Sequence, residues 1–189
     1  MNDFLITSTA DLRLQAADIR TVALAGRLQS DTSVEPLLQV IQTVLGLGKA
    51  VIIEEKTSQH FNLKQFPSVN LHDIGNCADV MIAVGGDGTM LGVARRVAPY
   101  HIPLVGINQG HLGFITDISL ADAPSVLREI LYDQSYDAEA RDLLHAQIIR
   151  DGEVIYEGTA LNDVVVGRTG LGGMLDLNVA VNDQFMYTE

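Results

Sequence analysis

The feature that most constrains this chain is the run Val80-Met81-Ile82-Ala83-Val84, which stops at Gly85-Gly86-Asp87-Gly88-Thr89 and gives way to a helical pattern. Successive apolar residues without alternation suit a strand covered on both faces, as in a parallel sheet packed between helices. The glycines after it permit a tight strand-to-helix turn and let backbone amides approach a ligand. The aspartate in their midst poses the question. A loop shaped for phosphate would normally avoid a negative charge, so Asp87 needs a role of its own.

The same strand–helix rhythm extends to either side. Residues 21–25 read as a first strand, ended by Gly26. Ser30-Asp31-Thr32-Ser33 offers helix N-caps, and Val34, Leu37, Leu38, Ile41, Val44 and Leu45 follow at helical spacing until Gly46 and Gly48. Residues 50–54 read as a second strand, and the polar stretch 56–77 as a short helix and a loop. The third strand is 79–84. A helix over 89–100 places Leu91, Ala94, Val97 and Ala98 on one side, and residues 103–107 form a fourth strand. A glycine-rich loop, Asn108-Gln109-Gly110-His111-Leu112-Gly113-Phe114, leads on towards a helix over 119–131. Residues 1–18 read as an irregular leader.

The pattern changes near residue 140. Residues 143–150, 153–157, 161–166, 175–181 and 185–187 read as successive strands, with hairpin turns at Asp151-Gly152 and Asn182-Asp183. The expected fold is therefore α/β. A Rossmann-like open parallel sheet with helices on both faces occupies 1–140, and the first strands of an antiparallel β domain occupy 141–189. The final residues fall inside a predicted strand, and so few strands would leave open edges. The expectation is a fragment of a longer protein.

Composition excludes several function classes. The formal net charge is −12, and Arg95-Arg96 is the only adjacent basic pair, so nucleic acid and anionic membranes are not expected partners. Cys77 is the single cysteine; no internal disulfide and no zinc spacing is available. No run is long enough for a membrane span, and the first residues, interrupted by Asp3, Asp11 and Arg13, do not resemble a signal peptide. The chain reads as cytoplasmic. His60, His72, His101, His111 and His145 show no ligand spacing, and no metal-ligating cluster is expected.

Neither a Walker loop nor a dinucleotide fingerprint is present. Any phosphate chemistry must use another loop. Gly85, Gly86, Gly88 and Thr89 stand before a helix whose first amides and positive dipole end suit a polyphosphate. Asp87 would repel that phosphate unless it binds a metal or takes a proton, and both roles fit phosphoryl transfer to an alcohol. The alternative is a plain helix cap. The loop 108–114 follows the next strand and should lie near the first at the carboxyl edge of the sheet. Phe114 there either packs on a ligand ring or belongs to the core. Asn162-Asp163 interrupts an apolar segment, as either a binding pair or an Asx turn.

These three segments together resemble the NAD kinase family: a GGDGT loop after a buried strand, an Asn-x-Gly-x-x-Gly-Phe loop, and an Asn-Asp pair in the β region, in family order. The resemblance spans roughly residue 20 to the end. It implies ATP-dependent phosphorylation of the adenosine ribose 2′-hydroxyl of NAD, giving NADP. Asp87 would be the general base. Gly85, Gly86, Gly88 and Thr89 would form the phosphate loop, and Asp87, Gly88, Phe114, Asn162 and Asp163 would hold NAD, with Ile115 beside Phe114. ATP with Mg²⁺ would be the donor, and a homodimer or homotetramer the assembly. The family continues into a longer β domain, so the 189-residue chain alone is expected to have little activity.

Three other readings are weighed. A lipid kinase of the diacylglycerol or sphingosine type has a similar loop, followed there by an Asn-Glu pair; here Met90-Leu91-Gly92-Val93 follows. Phosphofructokinase is a weaker relative whose sugar-phosphate clamps are lacking. A non-catalytic nucleotide-binding module belongs to a different class.

Overall fold

Strand β4, Val80–Gly85, is buried along its whole length and lies between β1, Thr21–Gly26, and β5, Leu104–Asn108. A computed structural model describes residues 19–110, 113–133, 135–167 and 176–188 of the chain. The 1–18 segment, His111, Leu112 and the expected strand start at Leu175 lie outside the described residues.

The remaining strands of the sheet are β2, Ala50–Glu54, β3, Ser68–Val69, and β6, Ile118–Ser119. The six run parallel in the order β3-β2-β1-β4-β5-β6. This is a doubly wound order. The chain works outward from β1 in one direction, then returns to β4 and works outward in the other.

Alternating residues explain why β1 and β4 carry unbroken apolar runs. Val22, Leu24, Val80, Ile82 and Val84 point to one face, where they pack with Leu37, Val40, Ile41 and Val44 of helix α1, Glu35–Gly46, and with Leu127 of α4, Ala123–Arg128. Ala23, Ala25, Met81 and Ala83 point to the other. There they meet Val93 and Val97 of α3, Asp87–Val97, and Leu71 and Ile74 from the segment before β4. The three alanines admit α3 close to the sheet. Each fully buried valine, leucine or isoleucine contributes about 1.5–3 kcal/mol.

Local chemistry differs from expectation at several ends. Helix α1 starts later than the Ser30–Ser33 caps suggested: Val34 occupies the cap position with no side-chain bond, and Ser33 Oγ accepts from the Glu35 amide. A short helix α2, Glu55–His60, follows β2 directly and is capped by Glu54. Helix α3 starts at Asp87 rather than Thr89 and passes at Ala98 into a tighter turn. The helix expected over 119–131 begins only at Ala123. Ser119 closes β6, Pro124 sits in the first turn of α4, and residues after Arg128 wind more loosely to Asp133.

Two antiparallel hairpins follow: β7, Leu144–Arg150, with β8, Glu153–Ala160; and β9, Asn178–Val181, with β10, Gln184–Thr188. Their turns sit where expected. Asp151, Gly152, Asn182 and Asp183 all have positive φ, as the tight hairpin turn requires. The strand expected over 161–166 does not form. Residues 161–167 follow β8 as irregular chain, and Val164, Val165 and Val166 are exposed. A β-branched run needs a neighbouring strand to become one, and no ladder reaches it among the described residues.

Candidate active site

The carboxyl ends of β1, β4 and β5 bring the two glycine loops side by side. At the first, Gly85 closes β4 and Gly86 takes the cap position of α3 in extended conformation. A Cβ on Gly85 would overlap the Thr89 side chain, so the turn closes only with glycine there. Thr89 and Met90 donate their amides to the Gly86 carbonyl.

Asp87 is the first residue of α3, and its side chain makes no cap. It reaches the second loop instead. Phe114 N–H donates to Oδ2 at 2.8 Å, and Ile115 N–H and Thr116 N–H donate to Oδ1 at 3.2 and 3.0 Å. The Thr116 hydroxyl adds a fourth bond to Oδ1 at 2.9 Å. The Phe114 amide first, then the Thr116 amide and hydroxyl, hold the carboxyl below the usual aspartate range, against a smaller opposing effect of burial. Gly113 passes so close that a Cβ on it would overlap the carboxylate. The helix-cap reading of Asp87 is thereby replaced by a clasp between two loops.

The second loop is fixed from behind. Gln109 N–H donates to the Gly85 carbonyl at 2.9 Å. Buried Asn108 donates from Nδ2 to Thr116 Oγ1 at 2.9 Å and accepts from the Gly110 amide at 2.8 Å through Oδ1. A chain of bonds thus runs from the end of β5 through Thr116 to Asp87. Thr116 is 1 % exposed and carried no sequence signal beyond lying two residues after Phe114.

Phe114 does not belong to the core. Its ring is fully exposed, at 102 %, while its amide is engaged by Asp87. Asn162 and Asp163 stand in the exposed chain after β8, a strand in contact with α3, and Asn162 Nδ2 donates to Asp163 Oδ1 at 2.9 Å. Asp87 and the Phe114 loop are therefore joined by direct bonds, whereas the Asn162-Asp163 pair has none to them.

On the opposite side of the α3 N-terminus, between β1 and β4, lies a crevice of about 540 Å³. Gly86, Gly88 and Thr89 line it, with Gly26, Arg27 and Gln29 after β1, Glu54 at the end of β2, and Arg96 on α3. Asp87 is not among its lining residues: the two neighbours of Asp87 face the crevice while its carboxylate is drawn to the other loop. Sequence reasoning passed over Arg27 and Glu54. The signal for Glu54 was a carboxylate directly after an apolar strand with Thr57 three residues on.

Among the described residues no three His, Cys, Asp or Glu cluster, and Asp87 already accepts three bonds at Oδ1 and one at Oδ2. No described helix is long and apolar enough to cross a membrane.

Residues 22–136 match the ATP-NAD kinase N-terminal domain. The NAD kinase of Burkholderia cenocepacia (strain HI2424) is 44% identical over 170 residues, covering 90% of this chain and 56% of that protein. The NAD kinase of Paraburkholderia phymatum is 43% identical over 173 residues, covering 92% and 57%. The chain thus spans little more than half the length of these curated relatives. Among solved structures, yeast NADH kinase complexed with NADH shares the fold with a TM-score of 0.70 at 17% identity, over 90% of this chain and 55% of that one. Nothing in these matches supports the lipid-kinase reading.

Proposed function

The chain belongs to the NAD kinase family, and from that premise we propose that its protein transfers the γ-phosphoryl group of ATP to the 2′-hydroxyl of the adenosine ribose of NAD, forming NADP and ADP. One observation carries this reading. The Asp87 carboxylate joins the GGDGT loop to the Phe114 loop at the carboxyl edge of the sheet, beside a crevice lined by Gly86, Gly88 and Thr89. Acceptor and donor can then meet across one helix start.

The chemistry asks little of a base. In a loose transition state the bond from the γ-phosphorus to the leaving oxygen is largely broken before the 2′-oxygen bond is complete. The hydroxyl proton therefore becomes acidic late and can pass to a weakly basic carboxylate. Oδ1 already accepts three bonds and Oδ2 one, so Oδ2 has the spare lone pair that would take the proton. The ring of Phe114 offers a stacking face for the adenine, and Asn162 and Asp163 supply polar partners for the adenosine and ribose. Gly85 shapes the phosphate loop, while the Gly88 amide and the dipole of α3 favour the donor's phosphates. Mg²⁺ arrives on ATP as part of the donor substrate. The same reading implies a cytoplasmic enzyme that works as a homodimer or homotetramer.

The test is NADP formation from NAD and Mg-ATP by the protein carrying Asp87 or Asp87→Asn. A positioned base contributes about 10²–10⁴-fold. The variant is expected to lose at least about 10²-fold in kcat. Unchanged turnover in Asp87→Asn would defeat the role of Asp87, and absence of NADP from the unaltered protein would defeat the reaction.

A further inference from the structure

We propose that Asn108, acting through Thr116, is a positioning residue for the reaction: an ordered relay of hydrogen-bond donors stops the Asp87 carboxylate from turning and leaves Oδ2 to the acceptor hydroxyl. The proposal rests on the reading of Asp87 as the base of the kinase and adds what holds that base in place.

The relay can run in one direction only. The Asp87 carboxyl, held below its usual range, is ionised near neutral pH; it accepts and cannot donate. Thr116 Oγ1 lies 2.9 Å from Asp87 Oδ1 and 2.9 Å from Asn108 Nδ2. Asn108 donates into the hydroxyl oxygen, so the single hydroxyl proton points at Asp87. The Asn108 side chain is itself locked. Its Oδ1 accepts from the Gly110 N–H at 2.8 Å, and its Nδ2 lies 3.4 Å from the Thr116 carbonyl as well as beside the hydroxyl. A flipped amide would set its N–H bonds against the Gly110 N–H and its oxygen against the Thr116 carbonyl. Donors therefore line up from Gly110 to Asn108, from Asn108 to Thr116 and from Thr116 to Asp87.

Packing fixes the same side chain from its apolar half. Gly106 and Asn108 stand two apart on β5 and so share a face of the sheet. A Cβ on Gly106 would lie 2.9 Å from the Thr116 methyl, so the glycine clears the space which that methyl fills. Asn108 and Thr116 are both buried. A β-branched side chain held by its methyl on one side and its hydroxyl on the other keeps one χ1 rotamer. In the ladder between β4 and β5, Asn108 stands opposite Gly85. The relay thus starts on the rung from which the GGDGT turn departs.

The consequence falls on the base. The last torsion of an aspartate is broad and two-fold, so its carboxylate turns unless its donors hold it. Here the Thr116 hydroxyl joins the Ile115 and Thr116 amides on Oδ1, and Oδ2 takes the Phe114 amide alone. The hydroxyl is the one of these four donors that belongs to a side chain, and Asn108 decides where its proton points. A reacting group works within about 0.5 Å and 10–20° of its productive geometry, held there by locked partners behind it. Asn108 and Thr116 are those partners for Asp87.

Thr116→Val keeps the methyl and removes the hydroxyl, and Thr116→Ser does the reverse, so the pair separates packing from the relay. In NADP formation from NAD and Mg-ATP, Thr116→Val is expected to lower kcat about tenfold, the worth of one hydrogen bond to a charged group, with KM for ATP within about twofold. Thr116→Ser should recover most of that loss. Asn108→Leu should lower kcat as well. Added to Thr116→Val it should cost no more than about a further twofold, because members of one relay do not act independently. Proton NMR of the unaltered 189-residue chain gives a second measurement that needs no variant to fold. The Thr116 hydroxyl proton should exchange slowly with water and show a nuclear Overhauser effect to the Asp87 β protons. A serine variant as slow as the valine one, losses that multiply in the double variant, unchanged turnover in Thr116→Val, or a hydroxyl proton without contact to Asp87 would each overturn the positioning role. The hydroxyl contact present, but no NADP formed by the unaltered protein, would overturn the kinase reading and leave the oriented relay standing.

Discussion

Truncating Phe114 to alanine separates binding from folding more cleanly than any other change at this site. The ring is 102 % exposed and buries nothing in the free protein, while the amide that serves Asp87 belongs to the backbone and survives the substitution. Folding stability should therefore move by less than about 0.5 kcal/mol, as for an ordinary surface site. If the ring stacks on the adenine of NAD, its loss should cost about 1–3 kcal/mol of acceptor binding. That corresponds to roughly a 5- to 150-fold rise in Kd or KM for NAD. The urea midpoint and the affinity for NAD and for ATP are measured on the same preparations, with Phe114→Tyr as the variant that keeps a stacking face. The expected pattern is an unmoved midpoint, an unmoved ATP affinity, weakened NAD binding and recovery in the tyrosine variant. A midpoint that falls with NAD binding unchanged would refute the argument, because it would mean that the ring packs on the protein and not on the substrate.

Thr116→Val removes the hydroxyl that links Asn108 to Asp87. Breaking the buried bond to Asn108 should lower stability by about 1–2 kcal/mol in urea denaturation, and kcat should fall while KM for ATP holds. Asp87 also gives a signed pH effect. Its carboxyl is held below the usual range in the folded state, so its bonds stabilise the fold above the unfolded value and lose that effect as pH falls through the folded one. The gap in urea midpoint between the unaltered chain and Asp87→Asn should be widest near neutrality and close in strong acid; a gap independent of pH would count against the clasp.

The sheet was legible because its constraint is local. A run such as Val80–Val84 fits only a strand covered on both faces, and the two sides of β1 and β4 then sort by parity. Nearness of the two glycine loops followed from the parallel order alone. What Asp87 touches did not follow, since its donors lie 27 to 29 residues further on and meet it only through tertiary packing. The same limit explains the misplaced strand at 161–166: Val164-Val165-Val166 has the propensity, but a partner decides the outcome. For Phe114 the local sequence left core and ligand-facing readings open. Aromatic residues are buried more often than not, yet here the backbone on either side is committed to the carboxylate and the ring is left outside.

The contact between Gly113 and the Asp87 carboxylate joins the histories of two loops that lie on separate crossovers of the sheet. Residue 113 can acquire a side chain only if residue 87 gives up its reach, and residue 87 can lengthen to glutamate only by intruding on residue 113. Each position thus censors mutation at the other. Divergence among descendants of this chain should run freely along the outer helices and hairpins while these two sites change together or stay as they are.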